Sequence, residues 1–141
     1  MPASNLFSSL VASPQFLRRV LWLDAATGVA TGSLQLLLSG FLAALLGLPE
    51  TLIVVSGWLM FGYAAGIVLI TSRSWMPPAA VRLLVIANGL WVLGCLALLF
   101  GDIVTPTLSG KAFIAVQAVA VGLLAELQWI GLRRAPAQPA W

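Results

Sequence analysis

The most regular feature of the chain is a set of four long apolar segments, separated by short polar stretches that contain glycine and proline. Each segment reaches the roughly 20 residues that a helix needs to cross a hydrocarbon core about 30 Å thick. None shows the period-2 alternation of a barrel strand, and backbone hydrogen bonds in lipid must close internally, so all four are predicted to be helices. The predicted spans cover residues 20–46, 51–71, 81–100 and 112–132.

The connections between these segments are short. They read "GLPE", "SRSWMPPAA" and "GDIVTPTLSGK", and each contains a proline that discourages continuation of the helix. Short connections make consecutive helices antiparallel neighbours. The sequence therefore predicts an all-α membrane protein, an antiparallel four-transmembrane-helix bundle over residues 16–134.

The two ends of the chain differ from this bundle. Within residues 1–15, the apolar residues Leu6, Phe7, Leu10 and Val11 fall on one helical face. This pattern predicts a short N-terminal interfacial helix lying on the membrane surface, and a disordered tail is the alternative. Residues 135–141, "APAQPAW", are predicted to form a flexible C-terminal tail.

Composition supports the bilayer as the solvent of this chain. Of its 141 residues, 61% are hydrophobic and 8% charged, whereas a soluble domain is roughly 45–50% apolar and about 25% charged. The net charge of +3 comes from arginines at helix ends rather than along one face, so no nucleic-acid partner is expected. The chain has no histidine, which removes histidine metal ligands and general bases, and its one cysteine, Cys95, is expected to pack.

The distribution of basic residues predicts an orientation. Six of the seven fall on one side of a four-span topology, and Lys111 falls on the other with Glu50 and Asp102. Loops rich in arginine and lysine stay in the cytoplasm, so both termini are predicted to be cytoplasmic. The six expected cytoplasmic anchors are Arg18, Arg19, Arg73, Arg82, Arg133 and Arg134.

Polar residues within the spans are the candidate functional groups. Asp24, Asn88 and Glu126 each lie five to seven residues inside an arginine that flanks their helix, so three helices place a polar group at similar depth. Thr27 lies on the same stripe of the first helix as Asp24. These four residues form the predicted polar cluster, because groups that are costly in lipid are best placed where they meet partners.

Two interpretations of the carboxyls remain open. Asp24 and Glu126 are either paired with a nearby arginine or tryptophan indole, or they titrate or coordinate a substrate. Asn88 is expected to join helices through its amide. Glu126 and Gln128 point in roughly opposite directions on the fourth helix, which argues against one continuous polar pathway.

Small residues indicate close helix packing. Gly28 and Gly32, and again Gly62 and Gly66, are spaced four apart within the first and second spans. This spacing lets two backbones approach closely, so the four glycines are predicted to pack helices together within the bundle.

No sequence motif indicates catalysis. A glycine-rich phosphate loop, HExxH, CxxC and GxSxG are all missing from the sequence, and its serines have no histidine to activate them. The chain is therefore not expected to be an enzyme. No catalytic, cofactor-binding or metal-binding residue is predicted.

The runs "LWLDAATG", "NGLWVLG" and "LLAELQWIGLRR" resemble small bacterial four-span integral membrane proteins that carry no assigned function. The resemblance covers most of the chain and implies a multi-pass protein of the bacterial inner membrane, with no activity attached. The small multidrug resistance exporters are also short four-span proteins. Their essential glutamate lies in the first helix, where this chain has Asp24, and the glutamate here lies in the fourth.

These observations favour a non-enzymatic role, as an accessory subunit or as a binder of lipid or apolar ligand within the membrane. The expected partners are membrane lipids, together with a membrane-protein partner or further copies of the chain. The alternative is a small proton-coupled transporter that uses Asp24 or Glu126.

Overall fold

A computed structural model describes residues 3–11 and 13–134, and every regular element in these ranges is a helix. The six helices are α1 (Ala3–Val11), α2 (Pro14–Leu37), α3 (Ser39–Leu46), α4 (Glu50–Thr71), α5 (Pro78–Phe100) and α6 (Leu108–Arg134). Four of them, α2, α4, α5 and α6, are long and apolar enough to cross a membrane. The predicted all-α four-helix membrane fold is confirmed. The predicted C-terminal tail lies outside the described residues.

The first span differs from the single helix of 20–46 that hydropathy predicts. α2 begins at Pro14, where Ser13 caps the first turn by accepting a hydrogen bond from the Gln15 N–H at 3.3 Å. The helix then breaks at Leu38, whose φ and ψ of −121° and 28° are not helical. The break immediately precedes the pair Ser39–Gly40, a combination that commonly kinks helices. α3 resumes the span at Ser39.

The end of α3 fixes the position of α6. Gly47 ends α3 with a φ of 65°, a left-handed conformation that favours glycine. The carbonyls left open there are taken up by the segment before α6, since the Thr107 N–H donates to Leu46 O at 3.0 Å and the Thr107 hydroxyl donates to Leu45 O at 2.8 Å. One backbone and one side-chain hydrogen bond of Thr107 therefore join the end of α3 to the start of α6.

The helices pack as two pairs. α2 packs most extensively on α4, and α5 packs most extensively on α6. The two pairs contact each other mainly through α2 and α6, and only slightly through α4 and α5. Buried apolar side chains form two layers along the bundle. One layer includes Leu21, Ile67 and Val81, and the other includes Leu46 and Cys95.

The four predicted packing glycines do not share one environment. A Cβ on Gly32 would lie 3.0 Å from the carbonyl oxygen of Gly57, so α2 and α4 approach closely at this point. Gly28 lies against the same helix at a looser 3.7 Å from Met60 O. By contrast, a Cβ on Gly62 or Gly66 would have no neighbour within 4 Å among the described residues. The close contact is thus between Gly32 and Gly57, and Gly62 and Gly66 lie on the outward face of α4.

Candidate functional site

A buried polar cluster lies where the four spans meet, and each span contributes one side chain. Asp24 comes from α2, Tyr63 from α4, Asn88 from α5 and Gln128 from α6. Because neighbouring spans run in opposite directions, residues from the first part of α2 and α5 reach the same depth as residues from the last part of α4 and α6. We call this set the Asp24 cluster.

All three neighbours donate hydrogen bonds to one oxygen of Asp24. Oδ2 accepts from the Tyr63 hydroxyl at 2.7 Å, from Asn88 Nδ2 at 3.0 Å and from Gln128 Nε2 at 2.5 Å. Asn88 Nδ2 also lies 3.2 Å from Gln128 Oε1, so the two amides contact each other as well as the carboxyl. Asp24 is 4% exposed, Asn88 5% and Gln128 0%. The carboxyl is thus enclosed by donors from three other helices.

The partners of Asp24 are neutral side chains rather than cations. Hydrogen bonds offset the cost of burying a polar group in an apolar medium. In the described part of the chain, every buried side-chain nitrogen and oxygen has a hydrogen-bond partner. The cluster therefore joins four helices through one acceptor oxygen, Oδ2 of Asp24.

The structure brings together two of the four residues of the predicted cluster. Asp24 and Asn88 are in direct contact. Thr27 is exposed, and its hydroxyl donates to the backbone oxygen of Asp24 at 2.9 Å. Glu126 is also exposed, because residues two apart on a helix point about 200° from each other and Gln128 is the one turned inward.

Tyr63 and Gln128 are the members that the sequence does not single out. Tyr63 is the only tyrosine in the chain, and it lies within the glycine step "GYAAG". Depth was an available signal for Gln128, which lies five residues before Arg133, the same separation as Asp24 from Arg19. Tyr63 lies ten residues before Arg73, so this measure does not point to it. Depth alone does not choose between Glu126 and Gln128, which differ by only about 3 Å along the helix.

Each of the two helix pairs is also joined by one side-chain hydrogen bond outside the Asp24 cluster. The Ser56 hydroxyl of α4 donates to Oε1 of buried Gln35 in α2 at 2.9 Å. In the other pair, Trp91 Nε1 of α5 donates to Gln117 Oε1 of α6 at 3.2 Å. These contacts use the same chemistry as the Asp24 cluster, but each joins only two helices.

The predicted anchor arginines gather at one end of the bundle, which we call the arginine-rich end. It comprises Arg18, Arg19, Arg73, Arg82, Arg133 and Arg134. Arg18 has a structural partner there, because its guanidinium donates to the carbonyls of Thr71 and, at 3.1 Å, Arg73, at the end of α4. Arg133 lies over the ring of Trp129, 5.9 Å from its centroid. Arg19, Arg73, Arg82, Arg133 and Arg134 are exposed.

Two shallow surface depressions lie away from the Asp24 cluster. One, of about 360 Å³, is lined by Trp129, Ile130, Arg133 and Arg134 at the arginine-rich end. The other, of about 420 Å³, is an almost wholly apolar groove between α2 and α4. Its lining residues are Val29, Phe61, Ala64, Ala65, Val68 and Leu69.

Fold and site together define a class: an all-α, multi-pass membrane protein whose four spans meet at one buried carboxyl. Comparisons with protein-family models, curated proteins and solved structures found no match to this chain. Its role is therefore inferred from the chemistry of its own residues.

Proposed function

We propose that this chain is a non-enzymatic protein of the bacterial inner membrane, acting as an accessory subunit or as a binder of lipid or apolar ligand. The observation that supports this proposal is the enclosure of the Asp24 cluster. Asp24 is 4% exposed, and its Oδ2 already accepts from three donors. In this proposal the cluster stabilises the packing of the four helices. The partner binds to the outer surface of the bundle.

The outer surface suits partners within the membrane plane. The spans carry large apolar side chains that are more than half exposed, among them Trp58, Leu69, Leu93 and Val116. The groove between α2 and α4 is lined by apolar side chains and offers almost no polar group. Acyl chains or the apolar face of another membrane helix match such a surface, because both associate by van der Waals packing.

A second candidate, a small proton-coupled transporter, has one observation in its favour. Asp24 is a buried carboxyl within the spans whose hydrogen-bonded partners are neutral, and intramembrane carboxyls are frequent coupling groups in transporters. In this alternative Asp24 has the coupling role. Glu126 is separated from the cluster by its position on the exposed face of α6.

Proton flux into liposomes distinguishes the two candidates. The full chain is reconstituted with a pH-sensitive dye inside, and a pH gradient is applied to wild type, Asp24→Asn and protein-free liposomes. Glu50→Gln serves as the control, since Glu50 is an exposed carboxyl at the opposite end. The proposal predicts that all four preparations dissipate the gradient at the same rate. Faster dissipation by wild type and Glu50→Gln, lost in Asp24→Asn, would establish the transporter instead.

A further inference from the structure

The short helix α1 presents an unpartnered apolar stripe. Leu6, Phe7 and Leu10 lie on one face and are 60%, 56% and 56% exposed. The opposite face carries only uncharged polar groups, and two of its serine hydroxyls, Ser8 and Ser9, donate back to carbonyls of α1 itself. α1 contacts both α2 and α6, which places it beside the arginine-rich end. A helix of this kind is suited to the boundary between headgroups and acyl chains.

The surface at the same end carries charge of one sign. Five of its six arginines are exposed. The four acidic residues of the chain lie elsewhere: Asp24 is buried in the cluster, Glu126 is within a span, and Glu50 and Asp102 are at the other end. Within the described residues, this surface therefore has no carboxylate to neutralise its guanidinium groups.

Exposed tryptophans mark the headgroup level at this end. Trp22, Trp75 and Trp129 are 45%, 47% and 43% exposed and come from α2, the connection to α5, and α6. Tryptophan is enriched at membrane interfaces because its indole is apolar with one polar N–H. The Arg133 guanidinium lies over the Trp129 ring, within the depression that Arg134 also lines.

We infer that the arginine-rich end binds the headgroups of anionic phospholipids, with α1 lying in the same interface and its apolar stripe among the acyl chains. Arginine presents planar donors that match phosphate oxygens, and basic residues at a membrane surface favour anionic lipid. The tryptophans and α1 favour a lipid over a soluble anion as the ligand. A lipid has acyl chains that can contact the apolar stripe of α1, whereas a free phosphate has no apolar part. This inference rests on the proposed function as a protein of the inner membrane that binds lipid.

Lipid binding in native mass spectrometry tests the headgroup half of the inference. The full chain in mild detergent is titrated with phosphatidylglycerol or with phosphatidylcholine, and the dissociation constant of bound lipid is measured. We expect a clear preference for phosphatidylglycerol. Each arginine near an anionic surface is worth roughly a five-fold gain in affinity, so Arg133→Gln with Arg134→Gln should weaken phosphatidylglycerol binding by roughly 30-fold.

Matched controls make the result specific. Lys111→Gln removes the one basic residue at the opposite end and should leave the affinity unchanged. Arg82→Gln, on a different helix, gives a second variant in case the double variant does not fold, and it should lose roughly five-fold. Equal affinity for the two lipids, equal losses in Lys111→Gln and the arginine variants, or full competition by inorganic phosphate would overturn the inference. The proton-flux result is independent of this titration, so either proposal can fail alone.

Depth measurement tests the placement of α1. Single cysteines at Leu10 or Ser8, on opposite faces of α1, carry an environment-sensitive fluorophore in a Cys95→Ala chain reconstituted in phosphatidylglycerol-containing bilayers. Lipids with a quencher on the acyl chain should quench the label at position 10 several-fold more than the label at position 8. Equal quenching at the two positions, or none at either, would show that α1 does not lie in the interface.

Discussion

At the scale of single residues, Asp24 accepts three side-chain hydrogen bonds from other helices, more than any other residue in the described part of the chain. Its three donors are a phenol and two amides, so any one of them can be removed without leaving Oδ2 bare. This redundancy lowers the cost of a single substitution.

Tyr63→Phe isolates one donor, because it removes the hydroxyl and keeps the ring. We expect the free energy of unfolding to fall by about 0.5–1.5 kcal/mol, the net value of one hydrogen bond. Reversible unfolding from mixed micelles measures this change.

Glu126→Gln provides the matched polar control for Tyr63→Phe, since Glu126 is exposed on the far side of α6. Its substitution should change stability by less than about 0.5 kcal/mol, as is usual for surface positions. If Glu126→Gln were the more destabilising of the two, the assignment of Glu126 to the outer face would be wrong.

The sequence could predict how deep in the bundle the polar site lies, but not which residues form it. Asp24 and Asn88 were predicted because their distance from the flanking arginines is readable from the chain. Choosing Gln128 over Glu126 needs the rotation of α6 about its axis, which depends on how all four helices pack. Apolar residues occur on all faces of α6, so its hydrophobic pattern does not specify which face is turned inward.

At the scale of helices, the number and order of the spans follow from hydropathy and were predictable. The break at Leu38 was not, because Ser39 and Gly40 are tolerated within membrane helices and become a kink only when neighbours stabilise it. Here Ser39 donates to Glu50 Oε1 at 2.8 Å, which joins the start of α3 to the start of α4. The same limit applies to the glycines, since a GxxxG step does not say whether it faces a helix or lipid.

Glycine substitutions test the packing of α2 against α4. Gly32→Ala places a Cβ 3.0 Å from Gly57 O, and the two backbones must separate to relieve this contact. We expect a loss of about 1–3 kcal/mol in unfolding free energy. Gly62→Ala has open space around the new methyl group and should leave stability unchanged or slightly raised. Equal losses at both positions would contradict the outward placement of Gly62.

Substitution of Arg18 tests whether its hydrogen bonds stabilise the end of α4. Its guanidinium satisfies the carbonyls of Thr71 and Arg73, which a helix end otherwise leaves open. Arg18→Gln should lower the melting temperature and speed amide exchange in the last turn of α4, because charged hydrogen bonds contribute about 1.5–3 kcal/mol. Arg19→Gln is the control, since Arg19 is exposed and contacts Gln15 at 3.5 Å. Identical behaviour of the two variants would argue against a stabilising contact between Arg18 and the end of α4.

At the scale of the whole molecule, the asymmetry of charge predicts orientation. Ser74 and Asp102 are exposed in connections at opposite ends of the bundle. In a Cys95→Ala chain, a cysteine at Asp102 should react with a membrane-impermeant thiol reagent on intact cells, whereas one at Ser74 should react only after lysis. Reaction at Ser74 on intact cells would reverse the proposed orientation and leave the fold unchanged.

The central claim is that Asp24 is a structural acceptor that joins the four spans. A double-mutant cycle between Asp24→Ala and Gln128→Ala, measured by reversible unfolding in mixed micelles, tests it directly. We predict a coupling free energy of about 1 kcal/mol, since hydrogen bonds between membrane helices average about 0.6 kcal/mol and reach about 1.7 kcal/mol. A parallel cycle pairs Asp24→Ala with Glu126→Ala. Glu126 is on the same helix as Gln128 but faces outward, so this cycle should be additive to within about 0.5 kcal/mol. Additivity in both cycles would contradict the claim.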